Sequence, residues 1–400
     1  MKPLLLKGGR IVDPALSLDA VRDLRVRDGK VAEIGEHLDR AADEEVLDGR
    51  GAVVAPGFID MHVHLREPGF EEKETIATGT LAAVNGGFTA VACMPNTNPA
   101  LDDPAVLAAL RENVQRNARC RVYPIAAITR GRQGRLPCDY AALAAAGAVA
   151  FSDDGDSVED MQVLREAALR ALPLAAPIVD HCLPEEALVA RDLQLCGETG
   201  KAWHIAHIST AAALQSVAAA RSRGIAVTCE VTPHHLTFTD ALAETAGAAA
   251  KVNPPLRRQS DVDALRRGVR DGTIDVFASD HAPHTAQEKS GDVEHAAPGF
   301  SGLEVAVGGY AAALPDLPLS RFVALLATNP ARILKIRGGT LALGEPADIT
   351  VFADRAWTVD PATFASKGKC TPFAGRRLPR KILATIVGGD VRYRAADWET

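Results

Sequence analysis

Two histidines lie one residue apart in an apolar segment near residue 60. The stretch "GFIDMHVHLREPG" contains His62 and His64, followed two positions later by Arg66. In a β-strand, residues i and i+2 point to the same side, so a strand here would present both imidazoles together. Such a pair alone is more often packed or hydrogen-bonded than metal-binding. With further ligands nearby, however, it would suit Zn²⁺.

More ionisable residues follow other apolar runs. The segments "SDDG", "DHC", "AHIST" and "SDHAPH" supply Asp153, Asp154, His181, His207, Asp280 and His284. If these runs are strands of one barrel, their carboxyl ends meet at the face where barrel active sites lie. Unpaired charges gathered in an apolar pocket are costly, and a metal ion removes that cost. Four histidines and two carboxylates favour Zn²⁺, although strand geometry does not choose between Asp153 and Asp154.

The middle of the chain alternates short apolar runs with helix-forming segments. Eight runs are strand-like: "VVAPGFIDMHVHL", "FTAVACMPN", "RVYPIAAIT", "AVAFSDD", "APIVDHC", "WHIAHIS", "IAVTCEVTPHH" and "IDVFASDHAPH". Alanine-rich segments such as "DDPAVLAALRENVQRN", "SVEDMQVLREAALRAL" and "TAAALQSVAAARSRG" separate them. Near-continuous apolar strands are typical of parallel sheets buried on both faces. We therefore predict an α/β fold with a (β/α)8 TIM-type barrel over residues 55–335. A doubly wound open sheet is the alternative, but no GxGxxG motif follows the first strand.

The two ends of the chain have a different pattern, with short strands and Gly-containing turns. "LKGGRIVD" and "IVGGDVRY" both have the form strand, Gly-Gly, strand. We predict one small β domain built from residues 1–54 and 336–400, beside the barrel.

Composition excludes several classes of protein. The 400 residues are 47% hydrophobic and 24% charged, with a net charge of −7 and no basic stripe, so a nucleic-acid partner is not expected. No window is apolar enough to predict a membrane span, and the N-terminus does not resemble a secretory signal. Seven scattered cysteines without a CxxC motif predict reduced thiols and a cytoplasmic protein.

The quoted motifs, together with "MPNTNP", "HIAHIST", "EVTPHH" and "KVNPPLR", resemble the amidohydrolase superfamily in order and approximate spacing. More narrowly, they resemble bacterial dihydroorotases that carry an aspartate at the strand-four metal position. The resemblance covers nearly the whole chain. Hydantoinases and allantoinases share the histidine pair and the late aspartate. They typically have a carboxylated lysine at strand four and lack the arginine after the pair.

This resemblance implies a zinc-dependent enzyme of pyrimidine biosynthesis that interconverts N-carbamoyl-L-aspartate and L-dihydroorotate. It implies six ligands for one or two Zn²⁺ ions: His62, His64, Asp154, His181, His207 and Asp280. Asp280 would also carry the catalytic proton. The implied substrate-binding residues are His64, Arg66, Asn96, Asn253, His284, Pro298 and Gly299. We further predict a homo-oligomer, with an aspartate carbamoyltransferase as a possible partner.

Two departures from the family pattern keep alternatives open. The segment from His181 to His207 is shorter than usual, and the order Pro298-Gly299-Phe300 replaces "APFG". The alternatives are a hydantoinase, dihydropyrimidinase or allantoinase, and a non-catalytic dihydroorotase-like subunit of a carbamoyltransferase complex.

Of the remaining histidines, we expect a position outside the barrel for His204, the face opposite Asp280 for His281, and structural roles for His234 and His235.

Overall fold

The first strands of the chain form a sheet separate from the barrel. The computed structural model describes residues 2–398 and begins with β1 (Leu4–Asp13), β2 (Leu18–Arg27), β3 (Lys30–Gly35), β4 (Glu45–Asp48) and β5 (Val53–Pro56). β1 pairs antiparallel with β2 and parallel with β4 and β5. Asp28 and Gly29, at φ 51° and 72°, form the β2–β3 hairpin turn, because two-residue hairpin loops favour positive φ at both positions.

Parallel strands then form the barrel. They are β6 (Phe58–Val63), β7 (Phe88–Cys93), β8 (Arg121–Ala126), β9 (Ala150–Phe151), β10 (Ile178–Asp180), β11 (Trp203–Ile205), β12 (Val227–Val231) and β13 (Val276–Phe277). Each strand pairs with the next one along the chain. The seam between β6 and β13 is bridged by the His64 N–H, which donates to the His281 carbonyl (2.8 Å), and by Asp60, which accepts from the Ser279 N–H (3.1 Å). The predicted barrel fold is confirmed.

Helices connect the strands and cover the barrel. They are α1 (Ile76–Asn85), α2 (Pro104–Asn117), α3 (Tyr140–Ala145), α4 (Met161–Ala171), α5 (Glu185–Thr199), α6 (Ala211–Ser222), α7 (Pro233–Thr237), α8 (Leu242–Ala246), α9 (Gln259–Asp271), α10 (Ala306–Ala313), α11 (Leu319–Val323) and α12 (Asn329–Leu334). A π-helical turn at Ala324–Thr328 joins the last two. α2, α4 and α6 lie in the predicted helical segments, and Asp103, Asp160 and Thr210 cap their first turns.

The C-terminal strands return to the first sheet. They are β14 (Ile349–Ala353), β15 (Trp357–Thr358), β16 (Arg377–Leu378), β17 (Lys381–Val387) and β18 (Asp390–Arg394). β14 pairs antiparallel with both β5 and β17, giving the order β18-β17-β14-β5-β1-β2-β3, with β4 beside β1. One mixed sheet thus draws on both ends of the chain, while the proposed boundaries 1–54, 55–335 and 336–400 stay a prediction.

The two Gly-Gly sequences differ in structure. Gly388 and Gly389 form the β17–β18 hairpin turn, at φ 56° and 85°. Gly8 and Gly9 instead lie inside β1, where the pairing with β2 shifts by a bulge and then continues. The expectation of a turn at Gly8-Gly9 is therefore wrong, because β2 is long enough to pair with β1 on both sides of the bulge.

The barrel is packed with small aliphatic side chains. Met61, Ala92, Ile125, Ala150 and Val179, from five successive strands, form one buried cluster. All seven cysteines are free thiols. Within residues 2–398, no helix has both the length and the apolar character needed to cross a membrane.

Candidate active site

Two histidines and two aspartates converge where β6, β9 and β13 end. His62 Nε2 lies 3.3 Å from Asp154 Oδ1 and 3.5 Å from Asp280 Oδ1. His64 Nε2 lies 3.5 Å from Asp154 Oδ2 and 3.2 Å from Asp280 Oδ1. All four side chains are buried. Asp280 has φ 48°, a left-handed backbone conformation that leaves the regular strand geometry of β13.

Two more histidines approach Asp154 from the other side. His181 Nδ1 and His207 Nε2 are 2.8 Å apart and lie 3.7 and 3.9 Å from Asp154 Oδ1. Asp153 is directed elsewhere, because its carboxylate accepts hydrogen bonds from the backbone N–H groups of Ile128 and Thr129 at 2.8 and 3.0 Å. The structure thus brings together Asp154, and not Asp153, with the four histidines and Asp280.

The donor set fits a metal ion of the zinc type. Ligands held about 2.0–2.2 Å from a tetrahedral Zn²⁺ are separated from one another by about 3.3–3.6 Å, which matches the nitrogen–oxygen distances of 3.2–3.5 Å. His62 Nε2 and Asp154 Oδ1 are buried and have no hydrogen-bond partner among the described residues. Buried polar atoms without partners are costly, and coordination of a cation would satisfy both.

The electrostatics of the cluster also favour a cation. Burial raises the pKa of Asp154, but His62, His64 and His181 outweigh burial and hold that pKa well below its usual range. Burial, together with the neighbouring His181 and His62, lowers the pKa of His207 to about 3. An ionised Asp154 beside a neutral His207 is the protonation state that these two residues need as metal ligands, whereas Asp154 and Glu230 outweigh burial and raise the pKa of His62.

A cavity of about 190 Å³ opens above this cluster. It is lined by His64, Arg66, Asn96, Asp154, Gly155, His181, His207, Asn253, Asp280, Ala282, His284, Pro298 and Gly299. The predicted site residues all lie in this wall, except for His62, which lies beneath it. Gly155 and Ala282 belong to the quoted motifs and also line the cavity, but neither was a predicted site residue.

Arg66 lies in the cavity wall without an anionic partner. Its Nε donates to the Pro283 carbonyl (3.3 Å), and its Nη2 lies 3.4 Å from His284 Nε2. Among the described residues, no carboxylate oxygen is within 4.0 Å of the guanidinium. Burial lowers the pKa of Arg66. Burial and the nearby Arg66 charge lower the pKa of His284 to about 4. This side of the cavity therefore presents a guanidinium that has no direct ion pair among the described residues.

Asn96 joins two members of the cluster. Its Oδ1 lies 2.8 Å from His64 Nδ1, and its amide nitrogen lies 3.4 Å from Asp154 Oδ2. Because Oδ1 only accepts, His64 Nδ1 carries the hydrogen and Nε2 stays free to face Asp280. Asn96 thus lines the cavity and also orients His64.

The Pro298-Gly299 pair forms part of the cavity wall. The Pro298 carbonyl accepts from His284 Nε2 (2.9 Å), and the Gly299 N–H donates to the Lys251 carbonyl (2.9 Å). Gly299 has φ +118°, and a Cβ there would lie 2.7 Å from the Cβ of Ala282. Only glycine fits this close approach of two backbone segments.

The structure corrects the expectation for His204. This residue is fully buried, and its Nε2 lies 3.2 Å from Glu230 Oε2, while the other Glu230 oxygen contacts His62. His204 therefore faces the same side of β11 as the cluster. The expected alternation fails because β11 ends at Ile205 and His207 has φ 27°.

His281 points away from the cluster to Glu74, and His235 contacts Thr232 and the Pro254 carbonyl.

Comparisons with known proteins decide the family. A family model described as "Dihydro-orotase-like" matches residues 51–188. A dihydroorotase from Pelotomaculum thermopropionicum is 47% identical over 97% of this chain and 98% of its own length. A dihydroorotase from Syntrophus aciditrophicus is 42% identical, over 98% and 99% of the two chains. The chain belongs to the dihydroorotase family.

Solved structures of other cyclic amidohydrolases share the fold of this dihydroorotase family member. An L-hydantoinase from Arthrobacter aurescens has a TM-score of 0.89 at 24% identity, covering 100% of this chain and 98% of its own. A D-hydantoinase has a TM-score of 0.88 at 21% identity, covering 99% and 96%. At this identity the likeness establishes the fold alone.

The alignment with the Pelotomaculum protein contains gaps in this chain. It runs over 420 positions but covers 97% of the 400 residues here, so about 32 aligned positions have no residue in this chain. In the structure, α5 begins at Glu185, only four residues after His181.

Proposed function

We propose that this chain is a zinc-dependent dihydroorotase that interconverts N-carbamoyl-L-aspartate and L-dihydroorotate in the cytoplasm, in pyrimidine biosynthesis. The observation that carries the proposal is Arg66, a half-buried guanidinium without a carboxylate partner, in the wall of the cavity that holds the His/Asp cluster. A cation partly shielded from water, with two planar N–H groups, favours an anionic substrate group. Dihydroorotate carries a carboxylate, whereas hydantoin and dihydrouracil do not.

The cavity residues would divide the work of binding. Arg66 would form a two-pronged contact with the substrate carboxylate, and Asn96 and His284 lie close enough to the cluster and to Arg66 to complete the carboxylate site. Asn253, Pro298 and Gly299, which also line the cavity, would contact the ring. The buried walls would exclude water from the reacting amide, which strengthens each polar contact.

Asp280 is the residue that we propose moves the proton. His64 and His62 outweigh burial and hold the pKa of Asp280 below its usual range, so this carboxylate is ionised at neutral pH and can accept a proton. In hydrolysis, water attacks the ring carbonyl carbon, Asp280 takes a proton from that water, and the C–N bond breaks. Asp280 then returns the proton to the leaving nitrogen, and cyclisation follows the reverse path.

The six residues His62, His64, Asp154, His181, His207 and Asp280 would hold the metal. When bound, Zn²⁺ polarises the carbonyl and lowers the pKa of water to roughly 7. With Asp154 in place of a carboxylated lysine, we propose one tightly held ion and a weaker second site, which metal analysis of dialysed protein can check. A homo-oligomer and an association with an aspartate carbamoyltransferase stay predictions.

The test is hydrolysis of dihydroorotate by the purified zinc-loaded chain, beside hydantoin and dihydrouracil. We expect a clear preference for dihydroorotate, and we expect Asp280→Asn to reduce kcat while the variant still folds. A preference for hydantoin or dihydrouracil would favour the related cyclic amidohydrolases. No turnover of any of the three compounds, with metal bound, would favour the non-catalytic subunit.

A further inference from the structure

Glu230 lies beneath the ligand cluster and contacts two of its members. Its Oε1 lies 2.7 Å from His62 Nδ1, and it also accepts from the backbone N–H of His207 at 3.2 Å. Glu230 lies in β12 and is fully buried, as is His62. No member of the predicted ligand set comes from β12, so this strand reaches the cluster through Glu230.

The contact fixes which nitrogen of His62 carries hydrogen. An ionised carboxylate only accepts, so His62 Nδ1 must be the donor in this 2.7 Å contact. The lone pair of a neutral His62 ring is then on Nε2, the atom that faces Asp154 and Asp280 at 3.3 and 3.5 Å. Partners on the far nitrogen commonly set the orientation and basicity of a metal-binding histidine.

His204 completes the arrangement from the other side. Its Nε2 lies 3.2 Å from Glu230 Oε2, and its Nδ1 lies 2.8 Å from Thr228 Oγ1. Both Glu230 oxygens therefore have partners in a region without solvent exposure, which keeps the carboxylate in one orientation. A series of contacts therefore runs from the half-buried Thr228 through the fully buried His204, Glu230 and His62 to the ligand cluster.

We propose that Glu230, held by His204, is a positioning residue that orders His62 for zinc binding. The inference rests on the zinc ligand set of the proposed function, but not on the substrate. Neither residue touches the cavity, so their effect passes through His62 and the backbone of His207.

The chain offers a matched control in Glu74. This glutamate is also fully buried, and its Oε2 lies 3.3 Å from the Nε2 of His281, a histidine outside the ligand cluster. Glu74→Gln and Glu230→Gln are therefore the same change at two buried glutamate–histidine pairs. Only one of the pairs includes a metal ligand.

The experiment measures the zinc dissociation constant of the full-length chain by competition with a chromophoric chelator, without substrate. We expect Glu230→Gln to weaken zinc binding about 10- to 100-fold, because the glutamine amide can donate to His62 Nδ1 and move the hydrogen to Nε2. We expect Glu74→Gln to stay close to wild type. His204→Gln, which leaves the His62 contact in place, should give a smaller loss.

Wild-type zinc affinity in Glu230→Gln would overturn the proposal, and so would equal losses in the Glu230 and Glu74 variants. If circular dichroism shows that Glu230→Gln does not fold, the zinc affinity of His204→Gln becomes the deciding measurement. Wild-type zinc affinity in His204→Gln would then overturn the proposal. Because the measurement needs no substrate, its outcome is separate from that of the dihydroorotate assay. Failure of that assay with zinc bound would reject the proposed function alone.

Discussion

Replacement of Arg66 by methionine tests whether the cavity recognises an acid. Methionine keeps much of the side-chain volume and removes the charge and the donors. The guanidinium has no carboxylate within 4.0 Å among the described residues, so its removal leaves no buried anion without its partner. We therefore expect Arg66→Met to fold and to bind zinc as the wild type does.

The size of the effect follows from the lost contact. A hydrogen bond to a charged group contributes about 1.5–3 kcal/mol, so a two-pronged contact with a carboxylate contributes about 3–6 kcal/mol. At about 1.4 kcal/mol per factor of ten, kcat/KM for dihydroorotate should fall by roughly two to four orders of magnitude. For dihydrouracil, which has no carboxylate, kcat/KM should stay within about threefold of wild type.

The assay compares kcat/KM for both compounds in wild type, Arg66→Met and Arg66→Lys, with zinc content measured on the same samples. Arg66→Lys keeps the charge and loses the planar fork, so it should fall between the other two. Equal losses on both compounds would mean that Arg66 supports the ligand cluster. An unchanged rate on dihydroorotate would mean that the carboxylate binds elsewhere.

Two further predictions concern stability and the cavity wall. Lys201 is 2% exposed and donates to the carbonyls of Ala171 and Leu174, and burial lowers its pKa from 10.5 to about 8. Between these two pH values the unfolded chain binds more protons than the folded one, so this group makes the free energy of unfolding rise with pH. Urea unfolding between pH 7 and 10 should show wild type gaining stability relative to Lys201→Met, and a constant difference would contradict this. Gly299→Ala should raise KM for dihydroorotate at least several-fold in initial-rate assays, because its Cβ would lie 2.7 Å from the Ala282 Cβ; an unchanged KM would show that the wall can move.

The barrel could be predicted because strands buried on both faces leave continuous apolar runs in the sequence. All eight runs contain a barrel strand, but several pairings are shorter than the runs. "AVAFSDD", for example, contributes only Ala150–Phe151. The pattern of apolar residues indicates which residues are buried, but it does not indicate where a strand stops pairing with the adjacent strand.

The details of the site depended on backbone geometry that no residue pattern encodes. Strand alternation could not choose between Asp153 and Asp154, and it placed His204 on the wrong side of β11. The two aspartates follow β9 and His204 lies in the short strand β11, and the period-two geometry of a regular strand does not continue past such strand ends. Glu230 was visible as a charge within the apolar run "IAVTCEV", but its partner His62 is 168 residues away in the sequence.

The pairing of β5 with β14 also determines when the sheet can be completed during synthesis. The two strands are separated by about 300 residues, which a ribosome adds in roughly 15–60 s at ordinary elongation rates. During that interval β5 is an open sheet edge, the kind of surface that invites pairing with other chains. The barrel strands pair in sequence order, so within the barrel only the seam between β6 and β13 waits for a distant segment. If the first sheet begins to form during synthesis, the edge of β5 therefore stays open until β14 has been made.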